Sequence, residues 1–115
     1  MNIVSLLTDF GTQDGNVGVM KAVIWGIAPR AQITDLSHAV PPQNIPHAAL
    51  LLARSAPYFP DDSVHCVVVD PGVGTGRRPI AARLGRQRYV APDNGVLTLA
   101  LAEAEAAGLE IELVH

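Results

Sequence analysis

Cysteine is nearly absent from this chain of 115 residues: there is one, Cys66, inside an apolar run. A lone cysteine excludes an intrachain disulfide framework, which fits a reducing, cytoplasmic setting. A reactive thiol needs a nearby base or cation and some exposure, so Cys66 within "SVHCVVVD" reads as a buried strand residue instead. Charge is also sparse, at 17% against 49% hydrophobic residues, with a net charge of −3. That balance excludes disorder and argues against a nucleic-acid or anionic-membrane partner. No apolar run approaches the ~18 residues of a membrane span. The opening "MNIVSLLTDFG" lacks the basic region and cleavage site of a signal peptide. No repeat, linker or low-complexity segment interrupts the chain. Five of the eight basic residues do cluster, namely Arg77, Arg78, Arg83, Arg86 and Arg88. They read as the solvated face of two neighbouring strands, with a local anion site as the alternative.

What is present alternates between strand and helix. Residues 2–8 read as a buried strand, and "DFGTQDGN" as a Gly and Asp loop. From Val17, apolar residues recur at helical spacing (Val17, Met20, Val23, Ile24, Ile27) until Pro29 stops the helix. "AQITDLS" is a second strand and "HAVPPQN" a turn-rich loop. Asn44 is placed to cap a helix that carries Pro46 in its first turn and runs to about Ala56. The β-branched run "SVHCVVVD" suits a strand covered on both faces. "PIAARLG" and "RQRYVAP" read as a hairpin across Gly85. Asn94 is expected to open a third helix, which Gly108 closes, and "LEIELV" to begin a final strand. The expected fold is α/β, a largely parallel sheet with helices on both faces. The chain ends at or just past an apparent strand, which suggests a piece of something longer.

In open α/β sheets, ligands bind beyond the carboxyl ends of the strands. Polar residues gather there: Asp9 after the first strand, Asp35, Ser37 and His38 after the second, Asp70 after the third, Asp93 and Asn94 after the hairpin. Singly, each has a structural explanation as a cap, a turn or a packing residue. The stretch "VVDPGVGTGRR" (residues 68–78) says more. Its glycines let a backbone turn tightly and approach a ligand, but it lacks the G-x-x-x-x-G-K-[ST] pattern of a phosphate loop. Folding back, the loop would pair Asp70 with Arg77, which would keep the acid ionised and orient the guanidinium; a purely structural ion pair is the lesser alternative.

Taken together, "LLTDFGTQDGNVGVMKAVI", "ITDLSHAVPPQNI", "VVVDPGVGTGRRPI" and "YVAPDNGVLT" resemble the S-adenosylmethionine (SAM) hydroxide adenosyltransferases, relatives of the SAM-dependent chlorinases and fluorinases. The resemblance spans nearly the whole chain. It implies the N-terminal α/β domain of a two-domain architecture whose C-terminal β domain this chain lacks. It also implies a homotrimer with SAM between subunits, and hydrolysis of SAM to adenosine and L-methionine by attack of water on ribose C5′. SAM would be substrate, with no further cofactor and no metal. By the same resemblance Asp9 would accept hydrogen bonds from the ribose hydroxyls. Asp70 would polarise or deprotonate water, and Arg77 would position it. Phe10, Asp14, Asp93 and Asn94 would contact the substrate.

Two departures matter. The family's histidine lies in a later motif, and none of His38, His47, His65 or His115 matches it. Much of the adenine and methionine contact surface is missing as well, so the isolated 115 residues are expected to turn over SAM poorly or not at all. Water is favoured over halide. The halogenases resembled here carry an aromatic hydroxyl residue where this chain has Asp70, an aromatic where it has Gln43, and an insertion before "YVAP". A carboxylate in that place would repel a halide. Two other readings stand beside this one. Acids at strand ends (Asp9, Asp14, Asp70, Asp93) would also suit a metal-dependent phosphohydrolase or nucleotidase. The second of these is non-enzymatic: a truncated fragment that only folds, or a remnant that binds SAM or adenosine.

Overall fold

The computed structural model of the chain describes residues 2–11, 15–69 and 79–114. The elements follow in order as β1 (Ile3–Thr8), α1 (Asn16–Ile27), β2 (Gln32–Ser37), α2 (Ile45–Ser55), a 3₁₀ turn (Ala56–Tyr58), β3 (Val64–Val68), β4 (Pro79–Leu84), β5 (Gln87–Pro92), α3 (Thr98–Ala106) and β6 (Ile111–Val114). They form one sheet in the order β2-β1-β3-β5-β4-β6. β1 runs parallel to β2 and β3, and β3 to β5, while β4 is antiparallel to β5 and β6. The sheet is therefore largely parallel, as the sequence implies.

Local chemistry accounts for the element ends. Asn44 caps α2 by accepting the His47 N–H at 3.1 Å, with Pro46 in the first turn, where a missing N–H costs nothing. Gly108, at φ 72°, closes α3: Gly108 N–H bonds Glu105 O, and Leu109 N–H reaches back to Ala104 O. That paired pattern requires a left-handed residue, which glycine adopts without strain.

The helices take opposite faces. Met20, Ile24 and Ala28 of the α1 region pack on Val4, Leu6 and Ala31. On the other face Ala48, Leu52, Ala100 and Ala104, from α2 and α3, cover Leu7, Val67, Tyr89 and Ala91. The α1 connection carries β1 to β2 on one face. The α2 connection returns past β1 to β3 on the other. β1 and β3 thus flank the point where the winding reverses, the place where open α/β sheets bind their ligands.

Three expectations change. The third helix begins at Thr98 with Leu97 at its cap, not at Asn94. Val23 and Ile27 belong to the outer face of α1, 57% and 82% exposed, while Val17, Met20 and Ile24 face inward. β3 is not covered evenly: His65 and Val67 are buried, but Val64, Cys66 and Val68 only partly. The reason is that α1 covers β1 and β2, and no described helix lies over β5, β4 and β6 on that face.

Candidate active site

The carboxyl rim gathers Asp9 and Phe10 after β1, residues 38–44 after β2, Val69 after β3, and Asp93 and Asn94 after β5. Thr8 pairs with Val68 in the β1–β3 register. Asp9 and Val69 therefore leave adjacent strands, which lie about 4.8 Å apart, side by side.

Asp9 is held rather than free. Its Oδ2 accepts the main-chain N–H of Gln43 at 2.8 Å. Gln43 has φ 62°, a left-handed conformation uncommon outside glycine, and such strain concentrates at functional sites. The turn after Asp9 is fixed by Gly11 N–H donating to His38 O at 2.8 Å and Phe10 N–H donating to Thr8 Oγ1 at 3.3 Å.

Behind this turn runs a line of four side chains. Lys21 Nζ lies 2.9 Å from Asp35 Oδ2, His38 Nε2 lies 2.7 Å from Asp35 Oδ1, and His38 Nδ1 lies 2.7 Å from Thr8 Oγ1. The β1–β2 register explains it. Asp35 lies opposite Leu6, on the face that α1 covers, and the register then shifts between Leu6 and Leu7. Such bulges re-aim side chains beside sites. The hydrogen bond from His38 lowers the pKa of the Asp35 carboxyl, with Lys21 adding to the effect against the opposing pull of burial.

On the β3–β5 side, Asn94 Nδ2 donates to Val69 O at 2.8 Å, and Asn94 Oδ1 accepts the Val96 N–H at 3.1 Å. Asn94 is thus a turn that ties the β5 loop to the end of β3. Its partner Val69 is bonded in the chain to Asp70. Asp93 beside it is exposed. Asp14, Asp70 and Arg77 lie outside the described residues.

Among the described residues, His47, His65 and the thiol stand apart. His47 serves through its backbone in the α2 cap. His65 is fully buried and joins Ser5 Oγ at 2.6 Å and Gln87 Oε1 at 3.1 Å. Burial pushes the Cys66 thiol up, as expected of an inert strand cysteine. A cavity of about 420 Å³ between α2, α3 and the β4–β5 hairpin is lined by Ala56, Phe59, Gln87, Tyr89 and Ala104. It lies at the amino end of β5, away from the rim, so its size does not make it the site. Among the described residues no group of three or more His, Cys, Asp or Glu side chains is placed to hold a metal ion. No described helix is long and apolar enough to cross a membrane. Sequence reasoning missed Thr8, Lys21 and the backbone of Gln43. The one available signal was that Lys21 is the chain's only lysine, set within an apolar helix.

Residues 4–114 match the family of the SAM hydroxide adenosyltransferase N-terminal domain. A (R)-S-adenosyl-L-methionine hydrolase from Thermus thermophilus is 52% identical over 100 residues, covering 87% of this chain and 39% of that protein. A fluorinase from Actinoplanes sp. is 26% identical over 124 residues, covering 88% of this chain and 42% of that protein. An uncharacterized conserved protein from Thermotoga maritima, solved by crystallography, superposes with a TM-score of 0.84 at 44% identity, over 97% of this chain and 43% of that one. The chain thus spans about two fifths of the curated relatives it matches.

Proposed function

The chain belongs to the SAM hydroxide adenosyltransferase family through its N-terminal domain, and we propose that the protein hydrolyses SAM to adenosine and L-methionine. The observation that carries this reading is the Asp9 carboxylate, fixed by the Gln43 N–H at the point where the sheet reverses, beside the strand end that leads into Asp70. A carboxylate held there suits the two hydroxyls of a ribose, and fixing the ribose fixes C5′.

In the proposed reaction a water oxygen bonds to C5′ as the bond from C5′ to the sulfonium sulfur breaks. Sulfur takes the electron pair and leaves as the neutral thioether of methionine, so no general acid is needed. The water proton passes to Asp70, and Arg77 positions the developing hydroxide. What remains is in-line alignment and removal of solvent. Phe10, Asp14, Asp93 and Asn94 line the substrate pocket in this reading. Support for water over halide comes from the relatives. The hydrolase is 52% identical, whereas the fluorinase is 26% identical over an alignment of 124 positions, longer than this chain, as an insertion in the fluorinase requires.

Residues beyond this match, in a C-terminal β domain, complete the site in the proposal, and SAM binds between subunits of a cytoplasmic homotrimer. The outer stripe of α1 supports burial in an assembly: Val19, Val23 and Ile27 are 63%, 57% and 82% exposed at successive turns of one helix face. No cofactor beyond the substrate enters, and neither nucleic acid nor membrane is a partner. The test is to incubate protein from the full reading frame with SAM and separate the products. Adenosine with equimolar methionine supports the reading, and intact SAM refutes it.

A further inference from the structure

We propose that His38 is a positioning residue, the centre of a hydrogen-bond chain through Lys21, Asp35, His38 and Thr8 that holds the Asp9 turn in shape for substrate. The inference rests on the reading of Asp9 as the ribose-binding carboxylate.

The polarity of the chain follows from its donors and acceptors. Asp35 is ionised between His38 and Lys21, and an ionised carboxylate only accepts. His38 Nε2, at 2.7 Å, therefore carries a hydrogen and donates it. In a neutral imidazole Nδ1 is then the acceptor, so the Thr8 hydroxyl, at 2.7 Å, donates to it. Thr8 Oγ1 in turn accepts the Phe10 N–H at 3.3 Å. With the imidazole neutral, the groups match in sequence from the Phe10 amide to the Asp35 carboxylate, with Lys21 closing the far end. Thr8 and His38 are buried at 0% and 7% exposure, where an unmatched polar atom is costly.

His38 grips the turn on both sides of Asp9. Through Thr8 it reaches the residue before, and through its own carbonyl it accepts the N–H of Gly11, two residues after. Gln43 then fixes the Asp9 carboxylate itself. The turn is anchored at three successive places, and binding groups must be held to roughly 0.5 Å to be useful. None of the four side chains of the chain need touch substrate. Their effect on binding passes through Asp9.

The test uses protein from the full reading frame. Thr8→Val keeps the shape of the side chain and removes the hydroxyl, while Thr8→Ser keeps the hydroxyl. In Thr8→Val, amide exchange at Phe10 and Gly11 should quicken about tenfold and KM for SAM should rise about tenfold, with kcat within about twofold. Thr8→Ser should restore both. Lys21→Met, at the more exposed end, should raise KM about threefold without disturbing the buried atoms, and it serves if Thr8→Val fails to fold. Unchanged exchange and KM in Thr8→Val, or in Lys21→Met where it stands in, would overturn the inference, as would Thr8→Ser being as impaired as Thr8→Val. If the wild type makes no adenosine, the proposed function fails. The exchange rates still decide the ordering of the turn: faster exchange in Thr8→Val supports it and unchanged exchange overturns it.

Discussion

The carboxylate of Asp9 accepts the main-chain N–H of Gln43 at 2.8 Å, joining loops 34 residues apart in the chain. The loop after β1 and the loop before α2 thus meet through one charged side chain. A backbone donor cannot rotate away as a side chain can, so the fold itself sets the orientation of the carboxylate.

Asp9→Asn keeps an oxygen for the Gln43 N–H but removes the charge. Hydrogen bonds to a charged group are worth about 1.5–3 kcal/mol, so the KM for SAM should rise by about 10- to 100-fold. Melting should barely move. Steady-state kinetics with a thermal melt separates the two effects.

Asp70→Asn should act differently. Loss of a general base costs about 10²–10⁴-fold in rate, and this should fall on kcat with SAM affinity nearly intact. If kcat and affinity fall together, Asp70 binds or supports structure and does not activate water.

Chelation separates the family reading from a metal-dependent phosphohydrolase. Adenosine formation should be unchanged by excess EDTA. Loss on chelation, with recovery on adding a divalent cation, would favour the metal-dependent reading.

His65 sets a pH window for stability. Burial lowers its pKa below the ordinary 6.5, opposed by the hydrogen bond to Gln87. The unfolded chain therefore takes up a proton that the folded chain resists. The stability His65 contributes is present above pH 6.5 and is lost as pH falls from there toward its lowered value. Denaturant unfolding followed downward from about pH 7 should show a decline that His65→Gln flattens. Asp35, lowered from 3.8, contributes stability that is fully present above that value and is lost as pH falls below it toward the lowered value.

The parts of the fold that depend on near neighbours were legible. Apolar spacing marks the strands and α2, and Asn44, Pro46, Gly85 and Gly108 mark the ends because each acts on its own turn. Asn94 was misread for a physical reason. A helix cap and an isolated turn both use an Asn oxygen on an N–H two or three residues on, and what separates them is the bond to Val69, from 25 residues away. The Thr8–His38–Asp35–Lys21 chain was hidden for a similar reason: it depends on strand register and on which face α1 covers. His65 shows the same limit, because its partner Ser5 lies 60 residues distant. Of the candidate site, the gathering of strand ends at one rim, with Asp9 placed there, was legible, since β-α-β order alone sends strand ends to one side.

The most direct measurement is product analysis after incubating protein from the full reading frame with SAM, once without halide and once with excess chloride. Adenosine in both, with no 5′-chloro nucleoside, is the expected result. A 5′-chloro product, or no nucleoside product at all, would contradict hydrolysis of SAM by water as the activity.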